Sequence, residues 1–276
     1  MIDIGGRRLR LVRAGPRGKR PTIVLEHGAF GCAADWAVVQ ARLAARGLHS
    51  IAYDRAGLGH SEPGPSPRDG QALNADLTGL LRGIDEPGPF ILAGHSMGGL
   101  MVRLFALTHP DRVLGLVLVD AVTPEVLSDR GVARAVDLYG LAMRWTAGAA
   151  RLGLMRPVAA LTGNLIGLEG AAAREKRRIY GSAAHARWAA DEVTHWPRTS
   201  GQAGQGALAT DLPVAVVTAG ARKPGWLKTM QNLPATQSRR GYIEDVPGAG
   251  HASLLGRRFA DPIVRGVEHV LQAVGR

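Results

Sequence analysis

Glycines surround a serine in a stretch whose spacing could support catalysis. Residues 90–100 read FILAGHSMGGL, in which Ser96 follows one apolar run and precedes another that begins at Leu100. Gly94 lies two residues before the serine and Gly98 lies two residues after it. A sharp turn from strand to helix needs small residues at these positions, and it raises the serine hydroxyl above the end of the sheet. The spacing predicts that Ser96 is a nucleophile, with a serine that only shapes the turn as the alternative.

The elements around Ser96 are those of an α/β protein. Continuous apolar runs that end at glycine predict strands buried on both faces, and stretches of helical spacing separate them. Strands are expected over 8–15, 22–28, 89–94, 112–124 and 212–220, and at the starts of 49–64 and 241–251. Helices are expected over 35–47, 74–84, 96–110 and 261–274. The alternation predicts a mostly parallel central sheet with helices on both faces.

The alternation stops between residues 125 and 210. This stretch is rich in alanine and arginine, is helix-like, and contains no run typical of a strand. A connection of this length is too long to lack structure of its own. We expect a helical cap over 125–210, inserted into an α/β core formed by 1–124 and 211–276. Within the cap, the basic run REKRR at 174–178 is interpreted as a solvated helix face.

In its motifs the chain resembles the α/β-hydrolase family. The motifs occur in the family's order and are HGAFG at 27–31, YDRAGLGHSEPG at 53–64, GHSMGG at 94–99, LVLVDA at 116–121 and GAGH at 248–251. The resemblance covers nearly all of the chain. It implies the α/β-hydrolase fold with an inserted helical cap, and it is much less specific for the substrate.

The resemblance also implies a base and an oxyanion hole for Ser96. A serine hydroxyl is a poor nucleophile until a base accepts its proton. In this family the base is a histidine on the loop after the last strand, and VPGAGHASLL places His251 there, with a surface-loop histidine as the alternative. The oxyanion would be held by the backbone amides of Met97 and Ala29. Phe30 is the neighbouring candidate for the second amide, or a wall of the pocket.

The acid of the triad departs from the common family pattern. In most relatives it follows the strand that matches LPVAVVTAG, but here ARKPGW comes next, which offers only the cations Arg222 and Lys223. A cation beside His251 would oppose its protonation. Asp120, at the end of LVLVDA, resembles the arrangement in haloalkane dehalogenases and certain lactone hydrolases. Asp120 is therefore the expected acid. The alternatives are that Asp120 only caps the start of the insert, or that Ser96 and His251 act as a dyad without an acid.

Composition limits the class of protein. The chain has 276 residues, 46% of them hydrophobic, which suits one large α/β domain. The formal charge is +11, but the basic residues are dispersed and only 5% of residues are aromatic, so we expect no nucleic-acid partner. The single Cys32 excludes an internal disulfide and a Cys-rich metal site. No stretch approaches the ~18 apolar residues of a membrane span, so we expect a cytoplasmic protein without membrane contact. We also expect neither a metal nor a cofactor. The sequence does not determine the oligomeric state.

The expected chemistry is acyl transfer to water. Ser96 would attack a carbonyl carbon, and His251 would then activate the water that releases the acid. The related dehalogenases and epoxide hydrolases need a carboxylate where this chain has Ser96. A small apolar ester or lactone is expected in a pocket walled by Phe30, Trp145, Trp188 and Trp196, with ordinary packing as the alternative for the tryptophans. Thioester, amide or carbon–carbon bond hydrolysis, and a non-catalytic ligand-binding protein, are the alternative functions.

Overall fold

A computed structural model describes residues 1–86, 88–152, 154, 164–220 and 224–275. Within them, the strands β1 to β9 are Ile2–Asp3, Arg8–Leu9, Leu11–Ala14, Ile23–Glu26, Ser50–Tyr53, Phe90–His95, Val113–Val119, Val214–Ala219 and Gly241–Val246. The helices α1 to α10 are Ala37–Ala45, Gly70–Gly83, Gly98–Thr108, Pro124–Ser128, Arg130–Arg151, Gly170–Tyr180, Ala183–Thr194, Trp196–Ala203, Gly225–Gln237 and Asp261–Ala273. The expectation about Arg222 and Lys223 falls outside the described residues.

One central sheet carries seven of the strands, in the order β3-β5-β4-β6-β7-β8-β9. β3 runs antiparallel to β5, and every other neighbouring pair in this sheet is parallel. The mostly parallel sheet that the sequence predicts is therefore confirmed. Because parallel strands end at the same edge, the residues that follow β4, β6, β7 and β9 meet there. β1 and β2 form a separate antiparallel ribbon. The sequence predicted only β2 of this pair, as the start of the strand expected over 8–15.

Helices cover both faces of this sheet. On one face, side chains such as Leu25 and Val117 pack with α1 and α10. On the other face, the alternate side chains, such as Val24 and Leu116, pack with α2, α3 and α9. Successive side chains of a strand point to opposite faces, so a strand covered on both sides must be apolar throughout. This burial explains why the central strands read as continuous apolar runs.

The helices α4 to α8 lie between β7 and β8, and we call Pro124–Ala203 the helical insert. Its described residues contain no strand. α5 packs along α7, and α8 packs on α2 and α3 of the core. The division of the chain into a core of 1–124 and 211–276 and a cap of 125–210 stays a prediction.

A buried arginine ties the insert to the sheet. Arg55, which follows β5, is 1% exposed and lies 2.6 Å from Glu26 and 2.7 Å from Glu192 of α7. Its guanidinium also donates to the carbonyl oxygens of His27 at 2.6 Å and Gly28 at 3.0 Å. Burial raises the pKa of Glu26, and Arg55 opposes that effect. A single side chain thus holds both the loop after β4 and a helix of the insert.

Candidate active site

Ser96 lies in the sharp turn between β6 and α3. Its φ angle is 54°, in the left-handed region where a side chain is unfavourable. The Ser96 amide donates to the carbonyl oxygen of Val119 at 3.0 Å. The Ser96 carbonyl accepts from the amides of Gly99 at 3.0 Å and Val122 at 2.9 Å. Backbone hydrogen bonds on both sides therefore hold the serine in its strained conformation.

The glycines that flank Ser96 have a steric reason. A Cβ atom on Gly94 would lie 2.5 Å from the carbonyl oxygen of Gly98. A Cβ atom on Gly98 would lie 2.5 Å from the carbonyl oxygen of Glu26. Both obstacles are backbone atoms of packed elements, so larger residues would force β4, β6 and α3 apart.

Asp120 and His251 meet at the same edge of the sheet. Asp120 directly follows β7 and is 2% exposed. Its Oδ2 lies 2.6 Å from Nδ1 of His251, and its Oδ1 accepts the amide of Ala219 at 3.1 Å. Its own amide donates to the carbonyl of Val217 at 2.7 Å. An imidazole whose Nδ1–H donates to a carboxylate keeps Nε2 as a proton acceptor.

His95, the residue before Ser96, supports His251. The two rings lie 4.6 Å apart, and Nε2 of His95 donates to the carbonyl oxygen of His251 at 3.0 Å. Burial, and then the neighbouring His251, lower the pKa of His95 to about 3. His95 is therefore neutral and acts on the backbone of His251.

Ser96 and His251 open into one cavity of about 440 Å³. α5 and α8 of the insert supply much of its apolar wall, which includes Val132, Ala135, Val136 and Trp196. Ile166 and Leu165 complete that wall. The cavity therefore lies between the carboxyl edge of the sheet and the insert, with the serine on the sheet side.

Two amides near Ser96 have no acceptor among the residues that the structure describes. The loop after β4 passes so close to the serine that a Cβ atom on Gly28 would lie 3.0 Å from the Cβ atom of Ser96. Ala29, the next residue, lines the cavity. Neither the Ala29 amide nor the Met97 amide donates to any atom of the described residues. The Met97 side chain itself is fully buried against Leu73 and Trp196.

The structure separates the aromatic residues that we expected to wall the pocket. Trp196 lines the cavity and is 7% exposed. Trp145 is 75% exposed, because it lies on the other side of α5 from the face that lines the cavity. Phe30 and Trp188 are not among the cavity's lining residues. They pack in an apolar cluster where the insert meets the core, against Tyr180, which does line the cavity. The pocket wall is thus corrected to Trp196 alone of these residues.

Lys176 is the exception to the solvated face expected over 174–178, where Arg174, Arg177 and Arg178 are exposed. Its side chain is 5% exposed, and Nζ lies 2.6 Å from Oδ1 of Asp35. Burial alone would lower the pKa of Lys176, but Asp35 raises it, so the ammonium is retained. A signal for this burial was present in the sequence, because one face of α6 carries Ala173, Lys176 and Ile179 at helical spacing.

Two further properties concern the described residues as a whole. No group of three or more histidine, cysteine, aspartate or glutamate side chains among them is arranged to hold a metal ion. None of their helices has the length and apolar character required to cross a membrane.

The sequence matches the model of a known fold family. The family model for the alpha/beta hydrolase fold matches residues 21–219, more than half of the chain. The chain therefore belongs to the α/β-hydrolase family, as its motifs predicted.

Two curated relatives illustrate the sequence similarity. A pyrethroid hydrolase from Sphingobium wenxiniae is 34% identical over 133 residues, which are 42% of this chain and 45% of that protein. A non-heme chloroperoxidase from Streptomyces lividans is 34% identical over 110 residues, 40% of each protein. The chain spans less than half the length of these and the other leading curated relatives, down to 18% for one of them.

Solved structures share the fold over nearly the whole chain. An enol-lactonase from Burkholderia xenovorans LB400 has 21% identity and a TM-score of 0.66, covering 97% of both chains. An esterase from Thermogutta terrifontis has 20% identity and a TM-score of 0.65, covering 98% of this chain and 95% of that one. At such identities the similarity shows the fold alone.

Proposed function

We propose that the protein is a serine hydrolase that cleaves a carboxylic ester or a lactone through an acyl-enzyme. Ser96 is the nucleophile, His251 the base, and Asp120 the acid that orients the base. The observation that carries the proposal is the 2.6 Å contact between Asp120 and His251, beside a cavity that His251 shares with Ser96. A strained serine, a histidine and a buried carboxylate form the set that acyl transfer requires.

In the first half-reaction, Nε2 of His251 accepts the hydroxyl proton of Ser96 while Oγ attacks the carbonyl carbon. The carbonyl π bond opens and places a negative charge on its oxygen. The bond to the alcohol oxygen then breaks, and the alcohol takes the proton from His251. In the second half-reaction, water gives its proton to His251 and attacks the acyl carbon, and Ser96 recovers its proton as the acid leaves.

The oxyanion is held by the amides of Ala29 and Met97. These two preorganised amides lie close to a nucleophile and have no acceptor in the described part of the chain, so they favour the charge that develops in the transition state. The N-terminus of α3, which begins directly after Met97, adds a favourable dipole. Gly28 lets the Ala29 loop approach Ser96 closely.

Asp120 holds His251 in the tautomer that leaves Nε2 unprotonated. Its carboxylate also stabilises the imidazolium that forms when His251 takes a proton. The hydrogen bond from the Ala219 amide fixes the second carboxylate oxygen, so that Asp120 keeps its orientation.

The helical insert acts as a cap that selects the substrate. Its residues Val136 and Trp196 line the same cavity as Ser96. A cavity of about 440 Å³ suits a small ester or lactone whose main contacts are apolar. Variation in the insert therefore changes the substrate and leaves the chemistry in place.

A fluorophosphonate probe tests this function. It should label the wild-type protein at Ser96, identified by peptide mass spectrometry, and should not label Ser96→Ala. The labelled protein should lose its turnover of p-nitrophenyl acetate, butyrate and octanoate. The Ser96→Ala and His251→Ala variants should each lose about 10⁴- to 10⁶-fold in kcat.

Two outcomes would contradict the proposal. A chain that is neither labelled nor active on any ester would be a ligand-binding member of the family. A chain that is labelled at Ser96 but cleaves only thioesters or amides would be a serine hydrolase of another substrate class.

A further inference from the structure

Polar side chains gather at one corner of the cavity. Lys176, Asp35 and Tyr180 line the same cavity as Ser96, and we call these three residues the polar corner. Lys176 and Asp35 are each 5% exposed. Replacing a buried ion pair by hydrophobic residues is often neutral or stabilising. Stability alone therefore gives no reason for an ion pair in the wall of a mostly apolar cavity.

One N–H donor of the Lys176 ammonium has no acceptor among the described residues. An ammonium group carries three N–H donors. One faces Asp35 at 2.6 Å, and a second reaches the carbonyl oxygen of Phe30 at 3.3 Å. The ring of Tyr180 also lies close to the ammonium, with its centroid 4.6 Å from Nζ. No other oxygen or nitrogen of the described residues accepts from Lys176, so one donor is left for a molecule in the cavity.

The polar corner carries no net charge. The carboxylate of Asp35 matches the ammonium of Lys176. Burial, and then the charge of Lys176, lower the pKa of His185 to about 3, so this adjacent histidine is neutral. Burial and then Asp35 raise the pKa of the Cys32 thiol, which is therefore neutral as well.

A second phenol group, that of Tyr139, lies in the cavity in addition to that of Tyr180. Tyr139 and Tyr180 line the cavity, and neither hydroxyl has a hydrogen-bond partner among the described residues. Burial raises the pKa of Tyr139 to about 12, and burial also raises the pKa of Tyr180. Both are neutral phenols that can donate a hydrogen bond to a ligand or accept one from it.

We propose that the polar corner is a specificity subsite for an uncharged oxygen of the substrate, such as a ketone, a hydroxyl or a second ester carbonyl. The inference rests on the proposed function, because the oxygen belongs to the ester or lactone that Ser96 cleaves. Lys176 donates to this oxygen, and Tyr139 or Tyr180 supplies a second hydrogen bond.

The charge balance decides among three classes of substrate. A plain hydrocarbon chain would displace water from Lys176 and leave its third donor unpaired, which is unfavourable in a buried site. A carboxylate would add a negative charge beside Asp35, whose charge is already matched. An uncharged oxygen satisfies the donor and leaves the ion pair balanced.

Two matched ester series test the subsite. The acyl series consists of p-nitrophenyl hexanoate, its 4-oxo and 5-oxo derivatives, and the p-nitrophenyl monoester of adipic acid. The alcohol series compares butyl butanoate with 3-oxobutyl butanoate, and pH-stat titration measures the rate at which each ester is hydrolysed. We expect kcat/KM for at least one oxo ester to exceed that of its plain analogue by about 10-fold.

A double variant separates the subsite from the chemistry. Lys176→Met combined with Asp35→Asn removes the donor without leaving an unmatched buried carboxylate. The ratio of kcat/KM between the preferred oxo ester and its plain analogue should fall to about 1. Arg177→Met is the matched control, because it removes one positive charge from an exposed position of the same helix. That variant should keep the wild-type ratio, and thermal melting of both variants checks that they fold.

The outcomes distinguish the subsite from the proposed function. Labelling of Ser96 with equal rates on oxo and plain esters overturns the subsite and leaves the hydrolase function standing. A preference for the adipic monoester would show that the polar corner binds an anion, and it would overturn the proposal of an uncharged oxygen. A ratio that survives in a folded Lys176→Met/Asp35→Asn protein also overturns the subsite. Absence of both labelling and ester turnover overturns the proposed function and the subsite together.

Discussion

Nδ1 of His251 lies 2.6 Å from Oδ2 of Asp120, although 131 positions separate the two residues in the chain. We expect Asp120→Asn to lower kcat by roughly 10²- to 10⁴-fold, because it removes the charge that stabilises the imidazolium. Asparagine tolerates the φ of 44° at this position, so the melting temperature should change little.

Asp245→Asn is the matched control for this substitution. Asp245 lies on the last strand, and its carboxylate pairs with Lys228 at 2.7 Å. Loss of this carboxylate should leave kcat unchanged. Near-wild-type activity in Asp120→Asn would show that Ser96 and His251 act as a dyad, or that another carboxylate serves as the acid.

If the proposed hydrolase function is correct, Trp196 should control the length of the acyl chain that the cavity accepts. Trp196→Phe enlarges the cavity, and its Nε1 has no hydrogen-bond partner in the described residues, so the change removes no such bond. The ratio of kcat/KM for p-nitrophenyl octanoate to that for the acetate should rise. Trp145→Phe, at an exposed position, should leave the ratio unchanged. An equal shift in both variants would mean that the cavity wall is assigned wrongly.

Arg55 should contribute strongly to stability. Arg55→Met leaves the buried carboxylates of Glu26 and Glu192 without their cation, so we expect a loss of about 3–5 kcal/mol in the free energy of unfolding. Urea denaturation followed by tryptophan fluorescence measures it. The control is Arg8→Met, whose exposed pair with Glu62 should contribute nothing measurable. A small loss in Arg55→Met would show that the insert is held mainly by apolar packing.

His185 should make the fold sensitive to acid. Nδ1 of His185 accepts from the Gly59 amide at 3.1 Å, and Nε2 donates to the carbonyl of Phe30 at 3.2 Å, which requires the neutral ring. Its pKa is about 3 in the folded protein, because of burial and then of Lys176, against about 6.5 in an unfolded chain. Between these values the unfolded chain binds more protons, so the free energy of unfolding falls as pH drops from about 6.5 towards 3.

His185→Gln removes this titration and should flatten that fall. Urea unfolding of the wild type and the variant at pH 7.5, 6.0, 5.0 and 4.5 gives the free energy of unfolding of each protein as a function of pH. The slopes of these two curves are compared, and a constant difference in stability at pH 7.5 does not affect the comparison. Parallel slopes would mean that His185 is protonated in the folded protein or solvated.

Local patterns were sufficient where the structure depends on neighbours in sequence. The glycine spacing around Ser96 predicts the turn, because a side chain on Gly94 would meet the backbone of Gly98, four residues further along the chain. Continuous apolar runs predicted the central strands, because both faces of the sheet are covered. The start of α2 shows the limit, since Asp69 caps it through the Ala72 amide and the helix begins at Gly70, ahead of the expected residue 74.

Other features were decided only by the tertiary structure. The sequence places Asp120 at the end of one strand and His251 after another, but the contact between them depends on how β7, β8 and β9 are ordered in the sheet. Which face of a helix is covered depends on its partners, and this explains why Lys176 is buried and Trp145 is exposed. The spacing of residues along the chain shows that a helix has an apolar side and a polar side. The packing of distant segments determines which side is turned toward the cavity.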